Sequence, residues 1–271
     1  MKHKLASLSL LFLALLLFQC ANVPMSGRSQ LALIGNDQIF PMSFDQYEQV
    51  KKESKIVTGT DEARMVKRVG TRIQRAVEQY FADQGQSSYL NDYKWEFNLI
   101  DEETVNAWCM PGGKVAFYTG IMPICKDETG VAVVMGHEIA HAIANHGRER
   151  ISQQYAAQFG LSAVSILLSG GSSAPSIPTE IIMQGAGAAT SLGILAFSRK
   201  HESESDKLGL YFMAMAGYNP QEAPKFWERM AAQSGGQSPP EFVSTHPSHD
   251  TRISDLKANM PKAMEYYRKS Q

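Results

Sequence analysis

His137-Glu138-Ile139-Ala140-His141 is the stretch from which the rest of this chain can be read. Four residues turn an α-helix by about 400°, so both imidazoles leave one face and can bind one Zn²⁺ at roughly 2.0–2.1 Å. Glu138 lies one step round. It reaches a water beside such an ion and not the ion itself, which suits a general base. The flanks agree with a helix: Asp127 supplies a cap, and Val131, Val134, Met135 and Ile139 recur at helical spacing. Val133, Ala140 and Ala142 keep the surroundings apolar, as a water-poor site requires.

A catalytic zinc needs a third protein ligand and an open fourth position. The metzincin pattern puts glycine at 144 and histidine at 147, where this chain has Ala144 and Gly147, so that class is excluded. His146 lies about 140° round the helix from His141 and reads as a surface or capping histidine. Downstream, Glu202 and Asp206 stand one helical turn apart. Glu202 can ligate, and Asp206 can accept from the free N–H of a ligand histidine. His201 and Glu149 are the rivals for the third place. Glu204 points roughly opposite Glu202 and reads as a solvated helix charge.

The motif helix, the segment Ser198–Asp206 and Ser244-Thr245-His246-Pro247-Ser248-His249-Asp250-Thr251-Arg252 together resemble the family-48 zinc metallopeptidases, a gluzincin group. Asn106-Ala107-Trp108-Cys109-Met110-Pro111-Gly112-Gly113 is similar to that family's N-A-F-x-x-P-G-G segment. Trp108 in place of phenylalanine and Ser205 in place of the usual alanine depart from the pattern without touching a ligand.

The resemblance implies an α+β fold: a mostly helical gluzincin metalloprotease domain with a small β-sheet presenting an edge strand. It implies one Zn²⁺ held by His137, His141 and Glu202, with Glu138 as catalytic base and Asp206 in support. His246 is then expected near the metal, either stabilising an oxyanion or occupying the open position in a resting state. Arg252 is the alternative for the oxyanion role. Asn106 and Ala107 are the candidates for an edge that binds an extended peptide. The activity implied is hydrolysis of internal peptide bonds in envelope proteins, misfolded membrane-associated ones among them. A chaperone or assembly factor with a blocked or structural zinc site is the rival. An intact Glu138 argues against it, since a structural site has no use for that carboxylate.

At the N-terminus, Lys2 and Lys4 precede an apolar run from Leu8 to Phe18, too short for an ordinary spanning helix. Leu17-Phe18-Gln19-Cys20 resembles a bacterial lipobox apart from Gln19. The expected organisation is a signal peptide at 1–19, a lipidated tether at 20–41 beginning with Cys20, and a metalloprotease domain at 42–271. Cys20 through Arg28 is similar to the mature start of the family's bacterial lipoprotein branch. A bacterial cell envelope location, periplasm-facing and lipid-anchored, follows as an expectation. Cys109 and Cys125 can bridge or stay as separate buried thiols, and the second is preferred because spacing alone establishes no geometry.

Elsewhere, a formal net charge of −1 produces no field that would draw nucleic acid, leaving protein or peptide substrates and a membrane as partners. Ser43 with Gln46 predicts a helix through about Val57, and Val66, Val69, Ile73 and Val77 predict another from Asp61 to Tyr80. Tyr93 to Leu99 alternates as a half-buried strand, and Lys114 to Ile121 reads as a second. Two apolar helices are expected at 155–168 and 181–197, around a break at 169–178. The last helix is expected near Ser248. Oligomeric state is not legible.

Overall fold

A computed structural model of the chain describes residues 20–169, 197–233, 241–246 and 251–271. The first elements are two short antiparallel strands, β1 (Cys20–Asn22) and β2 (Ser29–Leu31). Their turn places Gly27 at φ +69°, cheap for a residue without Cβ, and Val23 donates its N–H to the Arg28 carbonyl at 2.8 Å. Val23 and Ile34 belong to the main core. The segment expected as a tether therefore packs on the domain, and the expected boundary at residue 41 falls inside helix α1 (Asn36–Glu53). Ser43 does not cap that helix. It is buried, and its hydroxyl donates to the Pro111 carbonyl at 2.7 Å.

Next come β3 (Ile56–Val57), α2 (Asp61–Asp83), β4 (Glu96–Ile100), β5 (Ala107–Met110) and β6 (Lys114–Tyr118). Helix α2 starts where expected because the Thr60 side chain accepts the Ala63 N–H, and Val66, Val69, Ile73 and Val77 are all fully buried. The four-stranded sheet has the order β3-β4-β6-β5, with β4 parallel to β6 and β5 antiparallel to β6. Strand β5 thus forms one edge. The strand expected from Tyr93 begins only at Glu96, and both of its faces are covered. Phe97 and Leu99 face the main core, while Ile100 joins Tyr47, Val50, Trp108 and Met110 in a second cluster beneath α1. Buried Asn98 is paid for by its bond to Tyr47 Oη at 3.0 Å.

The remaining elements are helical: α3 (Met122–Cys125), α4 (Glu128–Ile143), α5 (His146–Ser169), α6 (Arg199–Met215), α7 (Glu222–Gln233), α8 (Glu241–Thr245) and α9 (Arg252–Lys269). The Asp127 side chain caps α4, and every residue from Gly130 to Ile143 is buried, so this helix has no solvent face. It crosses α6 at glycines. A Cβ on Gly136 would meet the Gly209 carbonyl oxygen at 2.7 Å, and one on Gly209 would meet the His137 nitrogen at 2.7 Å. Two backbones in such contact carry the two halves of the site.

This is the expected α+β class, mostly helical, with β5 at the sheet edge. Cys109 and Cys125 are both free thiols. Among the described residues no helix is long and apolar enough to cross a membrane. Residues 1–19, most of the apolar stretch at 170–196, and residues 247–250, where the last helix was expected to begin, lie outside the described residues.

Candidate metal centre

Helix α4 projects His137 and His141 from one face, their Nε2 atoms 3.1 Å apart. Glu202, in the first turn of α6, brings Oε2 to 3.4 Å from His137 Nε2 and Oε1 to 3.2 Å from His141 Nε2. His246, just past α8, places Nδ1 3.2 Å from His137 Nε2 and 3.2 Å from Glu202 Oε1. All four residues are buried. A tetrahedron with metal–ligand bonds of about 2.0–2.1 Å has edges of about 3.3–3.4 Å, so the donor set and its spacing fit zinc. Donors converging in this way in a buried space are the arrangement that a bound cation would satisfy. Neither His201 nor Glu149, the rivals for the third place, is in this cluster.

The ligands are held from behind. Asp206 Oδ1 lies 3.0 Å from His137 Nδ1, within reach though not aligned for a full hydrogen bond. Arg252 donates from Nε to Asp206 at 2.6 Å and from Nη2 to Glu202 Oε2 at 2.8 Å. The guanidinium also lies 3.9 Å from the Trp227 ring centre. Arg252 is therefore placed otherwise than the oxyanion role requires: it is buried, faces the two carboxylates, and does not line the cleft. His246 does line it. Burial would raise the Glu202 pKa, but His246, His137 and His141 together hold its carboxyl well below the usual range.

Glu138 faces the cleft on the side of β5, with Oε1 3.5 Å from His246 Nε2, and it accepts a hydrogen bond from the Cys109 backbone. Burial pushes its pKa up, opposed by His246 and His137. A carboxylate displaced toward neutrality in this way is suited to exchanging protons. Asn106 and Ala107, at the start of β5, line the same cleft with Phe197 and Arg150.

Two residues read from sequence as solvent-facing are not. His146 is fully buried, with its Nδ1 2.9 Å from His141 Nδ1 and its Nε2 2.8 Å from Glu204. Glu204 is also buried and accepts from Ser26 and from Arg28 Nε, the latter at 2.7 Å. The physical reason is the β1–β2 turn, which closes over α6 where helical spacing alone predicted water. Arg28 also forks onto Glu149 at 3.0 and 2.7 Å, and Glu149 accepts from His201.

Burial opposes ionisation of Glu149, but His201 and Arg28 outweigh it and bring its pKa down to about 2. A depressed carboxylate contributes stability that is present above its unfolded pKa and lost as pH falls toward the folded one. The thermal unfolding temperature should therefore fall steeply as pH is lowered from about 4.5 to 2, and Glu149→Gln should flatten that limb relative to wild type. Parallel acid limbs in the two proteins would show that the pair contributes nothing.

Comparison with known proteins agrees with this geometry. The description "Peptidase family M48" matches residues 68–260. The mitochondrial metalloendopeptidase OMA1 of Schizosaccharomyces pombe is 34% identical over 244 residues, covering 89% of this chain and 66% of that protein. The human mitochondrial metalloendopeptidase OMA1 is 27% identical over 267 residues, 96% of this chain and 50% of its own. The β-barrel assembly-enhancing protease of Escherichia coli is 31% identical over 185 residues, 65% of this chain and 37% of its own. The chain thus spans less than two thirds of the length of each. The expected bacterial, periplasm-facing location is overturned by the mitochondrial relatives. Two lysines and an apolar run specify an apolar segment, not a compartment. A family match across most of the chain, coinciding with a four-donor cluster of zinc dimensions, leads to one conclusion: this chain belongs to peptidase family M48.

Proposed function

We propose that the chain is a zinc-dependent metalloendopeptidase acting on misfolded and membrane-associated proteins. The observation that carries the proposal is the position of Glu138, beside the four-donor cluster in a cleft bounded by the sheet edge β5. Zinc, when bound by His137, His141 and Glu202, supplies Lewis-acid polarisation of the scissile carbonyl and makes a neighbouring water more acidic. Glu138 takes the proton from the attacking water and delivers it to the leaving amine. Asn106 and Ala107 orient the substrate by pairing its backbone with the outer edge of β5, an interaction that makes little demand on sequence. His246 donates to the developing oxyanion from Nε2. Asp206 fixes the ring of His137. The E. coli relative is by name a protease that enhances β-barrel assembly, which supports substrates drawn from proteins undergoing assembly.

The proposal is tested by incubating the purified chain with an unfolded protein and sequencing the products by mass spectrometry. Cleavage at internal bonds should stop with a chelator and return with zinc. A zinc-loaded chain that cleaves neither unfolded nor membrane-derived substrates defeats it.

The place of His246 among the four donors favours a second reading, in which it holds the fourth position until substrate displaces it. His246→Ala should alter turnover and keep zinc in either case. A faster basal rate supports the resting-state role, a slower one the oxyanion role, and loss of metal would make His246 a required ligand. The proposal includes removal of residues 1–19 and acylation of Cys20 as membrane attachment. An intact mass with an unmodified Cys20 defeats that part.

A further inference from the structure

The two ligand histidines are supported differently. His137 has a carboxylate and an arginine directly behind it, Asp206 and Arg252. Behind His141 stands an imidazole. With Nε2 of His141 facing the ligand cluster, its Nδ1 carries the hydrogen and meets His146 Nδ1 at 2.9 Å. His146 must then accept at Nδ1 and donate from Nε2, and its Nε2 lies 2.8 Å from Glu204 Oε2. The same Oε2 accepts from Arg28 Nε at 2.7 Å, and the other oxygen of Glu204, Oε1, accepts from Ser26 Oγ. The remaining donors of Arg28 fork onto Glu149, whose Oε2 lies 3.0 Å from His201 Nε2. The rings of His146 and His201 stack at 4.4 Å, 20° from parallel. One guanidinium therefore anchors two carboxylates, and each carboxylate orients one ring of a stacked pair.

We propose that the β1–β2 hairpin is part of the metal centre, with Arg28 and Ser26 acting through Glu204 and His146 as positioning residues for the ligand His141. The inference rests on the reading of His141 as a zinc ligand. Ser205 Oγ also lies 3.2 Å from His146 Nδ1, and with the hydrogen of His146 on Nε2 that Nδ1 accepts while Nε2 donates to Glu204, so one tautomer is consistent along the relay. The carboxylate increases the basicity of His146 toward His141, and through it the donor strength of the ligating nitrogen. Among the described residues, the metal-capable grouping of His, Cys, Asp and Glu is the one at His137, so His146, His201, Glu149 and Glu204 form a support network and not a second ion site.

The test is zinc affinity of the full chain, read by competition with a chromophoric chelator, together with the visible spectrum of the cobalt-substituted protein. His146→Phe removes both hydrogen bonds and should weaken zinc binding by about 10–100-fold and shift the cobalt bands. His146→Gln accepts with its carbonyl and donates with its amide, and should restore affinity to within about threefold of wild type. Arg28→Met, at the partly exposed end of the relay, should weaken binding by roughly 3–10-fold with the fold intact by circular dichroism. It decides alone if His146→Phe does not fold. Wild-type affinity and an unchanged cobalt spectrum in the folded Arg28→Met and His146→Phe proteins would overturn the relay, as would failure of His146→Gln to rescue. A wild-type chain that binds no zinc would instead defeat the underlying metalloenzyme reading.

Discussion

Glu138→Gln is expected to lower the cleavage rate by roughly two to four orders of magnitude while zinc content stays at the wild-type level. The substitution preserves shape and the bond from the Cys109 backbone, since the amide carbonyl can still accept. What it removes is the ability to take a proton. The metal should be unaffected because the clustered donors are His137, His141, Glu202 and His246, with Glu138 outside them. Rates on an unfolded substrate and metal analysis of the same preparations check both halves. Wild-type cleavage by the variant would dispose of Glu138 as base; loss of zinc would make it a ligand.

The second large effect is expected from Gly209→Ala. A methyl there meets the backbone nitrogen of His137 at 2.7 Å and the carbonyl carbon of Gly136 at 2.8 Å, atoms that cannot rotate away. Alanine favours a helix over glycine by about 1 kcal/mol, whereas overpacking in a filled core costs typically 1–3 kcal/mol and here involves main chain on both sides. The second effect should win. Helices α4 and α6 separate, and since one carries the histidines and the other Glu202, the edges of the ligand tetrahedron lengthen. Lower thermal stability together with weaker zinc binding is the expected pair of results. A variant as stable as wild type with unaltered zinc affinity would show that the glycine contact does not govern the site.

The parts of the site legible in sequence are those whose geometry is local. His137 and His141 share a face because four residues nearly close a turn, and Glu202 with Asp206 do so for the same reason. Both pairs arrive where that rule puts them. His146 and Glu204 were misread because helical phase says where a side chain points relative to its neighbours, and not which distant element covers it. Their cover comes from Ser26 and Arg28, more than a hundred residues away in sequence. The same limit applies to α1. Ser43 and Gln46 have the spacing of a capping box, but the Ser43 hydroxyl is used by Pro111, and the helix starts at Asn36. Asn98 illustrates it again: polar alternation suggested a wet face, and α1 lies over it.

Arg252 closes the support of Glu202 and Asp206 from the start of the last helix, as Arg28 closes that of Glu149 and Glu204 from the first hairpin. During synthesis from the N-terminus, the histidine pair on α4 is made long before the arginine that steadies its carboxylate partners. Contacts this distant in sequence form late, because the chain between them must close first. A chain that has not yet emerged as far as Arg252 therefore lacks the guanidinium that braces Glu202 and Asp206, and the carboxylate side of the donor cluster stays unbraced until then.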